Sequence, residues 1–296
     1  MKQFNDYTIN RLILGTAQFG LDYGISNREG KILQQEANAI LELAGSAGIT
    51  TLDTAAAYGD SEKTIGNALH ENGQDFEIIT KYLSLDSYMP VAEALEESLK
   101  RLQVTTVSTY MLHNYSIYKK KPEILLEFEQ LKKEGKIGKI GISLYHPSEA
   151  IEIIDNKAKV DIIQFPYSVF DRRFESVLPL LRQNGIMTHV RSVYLQGLYF
   201  MPPEKLPGAF SSIAPKIKKL HQLSRQYQLP LGALLLWFVL SNPNVSQAVI
   251  GVESLKTLQE NIDFSKKELS HQAYRELQNF RVDDEKIILP YNWPAK

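Results

Sequence analysis

Asp53, Tyr58, Lys81 and His113 are a set of side chains that together can polarise a carbonyl group and hand it a proton. Asp53 and Lys81 stand at the ends of the β-branched runs Thr51–Ala55 and Phe76–Tyr82, Tyr58 follows the first of these, and His113 closes the run Val107–Asn114. An aspartate beside a lysine keeps the ammonium charged, and an ammonium beside a phenol is expected to draw the phenol pKa down from about 10. Such a phenol is a general acid, and a histidine donating to the same oxygen helps stabilise the charge that develops when the carbon is attacked. No member of the set is a good nucleophile, so the attacking reactant comes from elsewhere, and hydride from a nicotinamide cofactor fits that need. Taken singly, each residue also has a structural reading: a helix cap for Asp53, one of 15 tyrosines for Tyr58, a snorkelling cation for Lys81, a hydrogen-bonded rim histidine for His113.

Bringing these four residues to one place requires a scaffold that delivers strand ends to a common rim. Eight runs read as strands: Leu12–Thr16, Thr51–Ala55, Phe76–Tyr82, Val107–Asn114, Lys139–Ser143, Ile162–Phe165, Ile186–Arg191 and Gln247–Val252. Helical patterns separate most of them, with apolar stripes such as Val91, Leu95, Ser98, Leu99, Leu102 and Ile124, Leu125, Phe128, Leu131. Alternating strands and crossover helices imply a parallel sheet, and eight units imply a (β/α)8 TIM-type barrel, whose functional side chains lie at the carboxy-terminal ends of the strands. Gly48, Gly135, Gly138 and Gly185 precede strands where left-handed helix caps are expected. One interval, Ser192 to Ser246, is long enough for an extended loop-helix segment after strand seven: a mobile Pro/Gly-rich rim loop, Met201–Ala209, then helices Ile213–Tyr227 and Leu231–Ser241. The tail Asp283–Lys296 reads as a loop, and residues 1–296 as a single barrel domain.

Composition narrows the classes of function. With 44% hydrophobic and 23% charged residues the chain can bury a core, which excludes intrinsic disorder. Thirty-three basic against 34 acidic side chains leave a net charge of −1, so no overall field draws the chain to nucleic acid or an anionic membrane. There are no cysteines, which removes disulfides, thiolate metal ligands and a cysteine nucleophile. The apolar run Leu231 to Leu240 is about half the roughly 20 residues of a spanning helix, and the first residues lack the apolar core of a leader. The expectation is a cytoplasmic protein acting on a small molecule.

The runs LILGTAQFG, GITTLDTAAAYGDSEKTIG, IITK, MLHN, GKIGKIGIS, IIQFPYSVFDRR and VIGVESLKTLQEN resemble the aldo-keto reductases in order and spacing from about residue 11 to 262. The resemblance implies a barrel that binds extended NADP(H) without a Rossmann fold, a carbonyl reductase activity and no metal. In that family an Asp, Tyr, Lys, His tetrad is catalytic, and Asp53, Tyr58, Lys81 and His113 match it without substitution. Ser143 and Gln164 match the residues that hold the nicotinamide carboxamide, although Leu144 replaces a frequent Asn. Arg191 stands where many members have an aromatic that stacks on the nicotinamide; a planar guanidinium can do the same, or it can pair with a rim carboxylate. Ser192, Leu195 and Gly197 would follow the pyrophosphate. At the adenosine end Gly251, Ser254, Glu260 and Asn261 match the family segment, with Ser254 equally readable as a helix N-cap. Gly251 and Thr257 occupy positions that are basic in many NADPH-dependent members, Glu253 is acidic, and Lys256 is the nearest basic residue. Despite these departures the resemblance itself implies NADPH first, with NAD possible.

Two other readings use the same residues. A cofactor-binding redox sensor or regulatory subunit would share the fold with little turnover, and the intact tetrad weighs against it. A hydrolase or lyase working through Asp53 and His113 alone would want paired carboxylates or a metal-ligand cluster, and the sequence offers neither. Phe19, Tyr23, Tyr115, Tyr167, Tyr291 and Trp293 are candidate pocket aromatics, each equally at home as packing.

Overall fold

The structure, a computed structural model, describes residues 8–27, 29–83 and 89–293. The amino-terminal residues 1–7, read above as lacking a leader core, and residues 294–296 of the tail lie outside the described residues. Eight strands run in parallel and close on themselves in sequence order: β1 Leu12–Gly15, β2 Thr51–Asp53, β3 Glu77–Tyr82, β4 Val107–Leu112, β5 Ile137–Ser143, β6 Ile162–Pro166, β7 Met187–Arg191 and β8 Gln247–Gly251, with β8 pairing β1. This is the (β/α)8 barrel expected.

The two-residue period of a strand sets which side chains point inward. Ile13, Ile79, Met111 and Ile162 form a buried plug inside the barrel, joined by Met187 and Val249. Two residues further along the same strands come Gly15, Lys81, His113, Gln164, His189 and Gly251, so the candidate site is the next layer up on the inward face. The opposite faces, among them Leu12, Leu14, Ile78, Ile140 and Ile163, pack against the outer helices. In helix Val91–Leu102 the stripe read from sequence, Val91, Leu95, Ser98, Leu99 and Leu102, is the buried face.

Differences from the sequence reading have local causes. β4 stops at Leu112 because Asn114 turns to cap the helix Tyr115–Lys120, accepting from the Ser116 N–H at 2.8 Å. Gly48, Gly135 and Gly185 follow helices at φ of +91°, +72° and +71°, as expected of caps. Gly138 does not: it lies within β5, where a Cβ would meet the Ser108 carbonyl oxygen at 2.8 Å. After β7 come helices Ala214–Gln226 and Leu231–Leu240, but the rim stretch before them folds into tight turns, Pro203–Lys205 and Gly208–Ile213. Phe210 anchors the second turn edge-on to Trp293 at 4.9 Å. The tail is likewise not simply a loop, since Asp284 caps the short helix Glu285–Ile288 and buries Ile287 and Ile288. Among the described residues no helix is long and apolar enough to cross a membrane.

Candidate active site

A cleft of about 400 Å³ opens on the carboxy-terminal rim of the barrel and runs from Tyr58 to the helix Leu255–Ser265 that follows β8. Of the residues singled out from sequence, Asp53, Tyr58, Gln164, Arg191, Ser192, Gly197, Gly251, Glu260 and Asn261 line it. Lys81, His113, Ser143, Leu195 and Ser254 do not line it, although Lys81 and His113 adjoin it through Asp53 and Tyr58.

The floor is built around a buried ion pair. Lys81, 1% exposed, donates to both carboxylate oxygens of Asp53 and, at 2.8 Å, to the Thr54 carbonyl. Three acceptors around one nitrogen are what an ammonium requires. Asp53 also accepts from the Gln164 amide at 2.8 Å, so the side chain expected to hold a carboxamide is tied to the tetrad. Burial pulls Lys81 below the ordinary lysine value, and the Asp53 charge opposes it.

Tyr58 sits on the turn after β2, which is fixed by its neighbours. Its N–H donates to Ala55 and its carbonyl accepts from Ser61, whose hydroxyl reaches the Thr16 carbonyl at 2.8 Å. Gly20 lets the β1 loop press against this turn, since a Cβ there would lie 1.7 Å from the Tyr58 carbonyl oxygen. The Lys81 nitrogen stands 5.2 Å from the Tyr58 ring centroid, and His113 packs against the ring edge-on at 5.6 Å. The three N–H groups of Lys81 are engaged by Asp53 and Thr54 rather than by the phenol.

The expectation that Lys81 lowers the phenol pKa is corrected here. Burial pushes Tyr58 well above the ordinary tyrosine value, the Asp53 charge adds to the rise, and Arg191 opposes it. Burial also pushes His113 down to about 3, with Lys81 acting in the same direction, so its imidazole is neutral. His113 Nδ1 is buried without a hydrogen-bond partner among the described residues. The arrangement holds a protonated phenol and a neutral imidazole side by side above a fixed cation.

Arg191, paired in register with Pro166, lies with its guanidinium 4.4 Å from the centroid of Tyr145 and donates to the Leu144 carbonyl at 3.3 Å. No carboxylate among the described residues pairs with it. Tyr145, which sequence reasoning passed over, packs edge-on against Tyr291 at 4.8 Å; its place in the loop after β5 was the available signal. Of the candidate aromatics, Tyr23 lines the cleft, whereas Phe19 and Tyr167 are buried in the core.

Towards the far end the chain supplies fewer free groups than its sequence suggests. The N–H groups of Leu195 and Gly197, expected along a pyrophosphate, donate to Ser192 and Tyr194 within their own turn. The Asn261 amide accepts from the Tyr194 hydroxyl at 2.5 Å and donates to the Thr257 carbonyl at 2.7 Å. Ser254 is the N-cap of the helix Leu255–Ser265, accepting from the Thr257 N–H. At Gly251 a Cβ would already meet Gln18 Nε2 at 3.1 Å.

Comparison with known proteins gives the same picture. The model of the Aldo/keto reductase family matches residues 11–281. The chain is 28% identical to an uncharacterized oxidoreductase, YqkF, of Bacillus subtilis (strain 168), over 85% of this chain and 89% of that protein. It is 27% identical to an NADH-specific methylglyoxal reductase of Escherichia coli (strain K12), over 87% and 90%. Among solved structures, the holo form of aldo-keto reductase AKR11C1 from Bacillus halodurans superposes with a TM-score of 0.76 at 25% identity, covering 93% of this chain and 95% of that one. Barrel, cleft and matched length together place the chain in the aldo/keto reductase family, as an NAD(P)H-dependent reductase.

Proposed function

We propose that this chain reduces an aldehyde or ketone with Tyr58 as the proton donor, the carbonyl oxygen lying between the Tyr58 hydroxyl and the His113 imidazole. The observation that carries the reading is the convergence, beside one cleft, of a phenol held protonated by burial, a neutral histidine at its edge and a lysine cation 5.2 Å from its ring. A nicotinamide bound in the cleft would supply hydride. What supports such a group is that Arg191 lines the same cleft as Tyr58, where its guanidinium could face the ring, and that Gln164, which lines the cleft in register with Ser143, stands where its carboxamide would lie.

The chain's own residues manage the proton. Tyr58 keeps its proton until negative charge builds on the substrate oxygen, then donates it. The phenolate left behind has the Lys81 ammonium 5.2 Å from its ring centroid, and the Arg191 charge favours it. Asp53 and the Thr54 carbonyl hold Lys81 in place, and the neutral His113 has an N–H to share with the same oxygen. Steady-state kinetics on a panel of aldehydes and ketones, with wild type and Tyr58→Phe, test the reading. Tyr58→Phe should lose turnover and keep dinucleotide binding, and a variant within about tenfold of wild-type kcat/KM removes Tyr58 from the role.

A further inference from the structure

At the end of the cleft away from Tyr58, the lining residues are Glu253, Thr257, Glu260 and Asn261. On the nicotinamide reading above, on which this inference rests, that end takes the adenosine half of the dinucleotide. Among the described residues that line the cleft Arg191 is the one cation, and it stands beside Tyr58 and Tyr145 at the other end. Lys256 is 85% exposed, lies outside the lining and leans towards Glu260 at 3.9 Å. The Thr257 hydroxyl donates to the Ser254 carbonyl and accepts from the N–H groups of Glu253 and Ser254, so its proton is engaged within its own helix cap.

Glu253 is held differently. Its N–H is fixed by Thr257 at 2.9 Å, and its Oε1 accepts from the Ser26 hydroxyl at 3.2 Å, a contact from the loop after β1. Gly197, at φ +87°, leaves the room for Ser26, because a Cβ there would lie 1.8 Å from Ser26 Oγ. The carboxylate is thus tethered on the cleft side rather than left to turn into solvent.

We propose that Glu253, anchored by Ser26, sets the dinucleotide preference: its carboxylate accepts from a free 2′-hydroxyl of the adenosine ribose and rejects a 2′-phosphate, so that the chain takes NADH in preference to NADPH. An ionised carboxylate is acceptor-only, which suits a ribose diol. A phosphate brought to the same place meets like charge and loses water, with Arg191 at the other end the one cation among the described lining residues.

Titration calorimetry of the full chain with ADP-ribose and with its 2′-phosphate reads this preference without turnover. Wild type is expected to bind ADP-ribose more tightly by about tenfold or more. Glu253→Gln keeps an acceptor for Ser26 and removes the charge, and should narrow the ratio by about fivefold; Ser26→Ala, which frees the carboxylate, should narrow it in the same direction by less. Equal or tighter binding of the 2′-phosphate by wild type, or a ratio indifferent to both substitutions, overturns the assignment to Glu253 while both ligands still bind and the nicotinamide reading stands. Failure of both ligands to bind wild type overturns that reading and this inference together.

Discussion

Replacing Lys81 with methionine removes the cation that Asp53 was buried with. The lysine side chain is 1% exposed and that of Asp53 4%, so neither charge has water to fall back on. After Lys81→Met, Asp53 keeps the Gln164 amide as a side-chain donor. Removing one partner of a buried pair costs about 3–5 kcal/mol, because the remaining charge stays desolvated, whereas neutralising both partners is often far milder. We therefore expect Lys81→Met to lose about 3–4 kcal/mol of unfolding free energy, Asp53→Asn a similar amount, and the double variant to fall short of the sum by about 2 kcal/mol or more. Urea unfolding followed by circular dichroism and by tryptophan fluorescence measures all four species, and a common m-value shows that one transition is being compared. Losses that add to within about 0.5 kcal/mol would mean that the two side chains do not depend on each other, and would refute the ion pair as the foundation of the site.

Tyr58→Phe should lower kcat/KM by well over about tenfold, more than ~1.4 kcal/mol of transition-state stabilisation, with an unchanged melting temperature, since among the described residues the hydroxyl makes no hydrogen bond. Arg191→Ala should weaken dinucleotide binding by about tenfold while costing under about 1 kcal/mol of stability, the worth of one cation–π contact and one long hydrogen bond; a stability loss above about 3 kcal/mol with affinity retained would make Arg191 a structural residue. His189, 2% exposed inside the barrel, has its pKa pushed down to about 4 by burial, as His113 is pushed to about 3. The unfolded chain takes up those protons below about pH 6.5 and the folded chain does not, so stability is full above that pH and falls as pH drops towards 4, by up to about 1.4 kcal/mol per pH unit for His189. Urea midpoints between pH 6.5 and 4.5 should fall less steeply in His189→Gln, and an identical slope would show that His189 does not titrate on unfolding.

The sequence made the scaffold legible where one physical preference dominates. β-branched runs bounded by turn residues gave all eight strands, and the 3.6-residue stripe gave the buried face of helix Val91–Leu102 residue for residue. The tetrad was legible because strand ends of a barrel share one rim, so Asp53, Lys81 and His113 could be brought together without knowing any distance. Its electrostatics were not, because the argument from neighbours weighed Lys81 against Tyr58 and left out desolvation, which acts more strongly on the phenol than any single charge around it. Hydrogen bonds between distant segments were equally invisible: Tyr194 to Asn261 and Ser26 to Glu253 join residues far apart in the chain, and no local pattern announces them.

The turn after β7 shows what such long-range contacts accomplish. Leu195, Gln196 and Gly197 take φ of +47°, +53° and +87° in succession, and Ser192 takes +62°. A left-handed backbone costs on the order of 1–2 kcal/mol at each non-glycine residue, and neither leucine nor glutamine signals it in sequence. The surroundings impose the conformation. Leu195 is fully buried, the Gln196 carbonyl accepts from the Ile25 N–H at 3.1 Å, the Gln196 amide donates to the Tyr23 hydroxyl, and Tyr194 is tied to Asn261 on the helix after β8. The strained turn therefore joins the loop after β1 to the far wall of the cleft. It also carries Gly197, whose missing side chain makes the space for Ser26 against Glu253. One turn thus carries both the left-handed residues that local sequence would avoid and the glycine that leaves room for Ser26 to hold the Glu253 carboxylate on the cleft side.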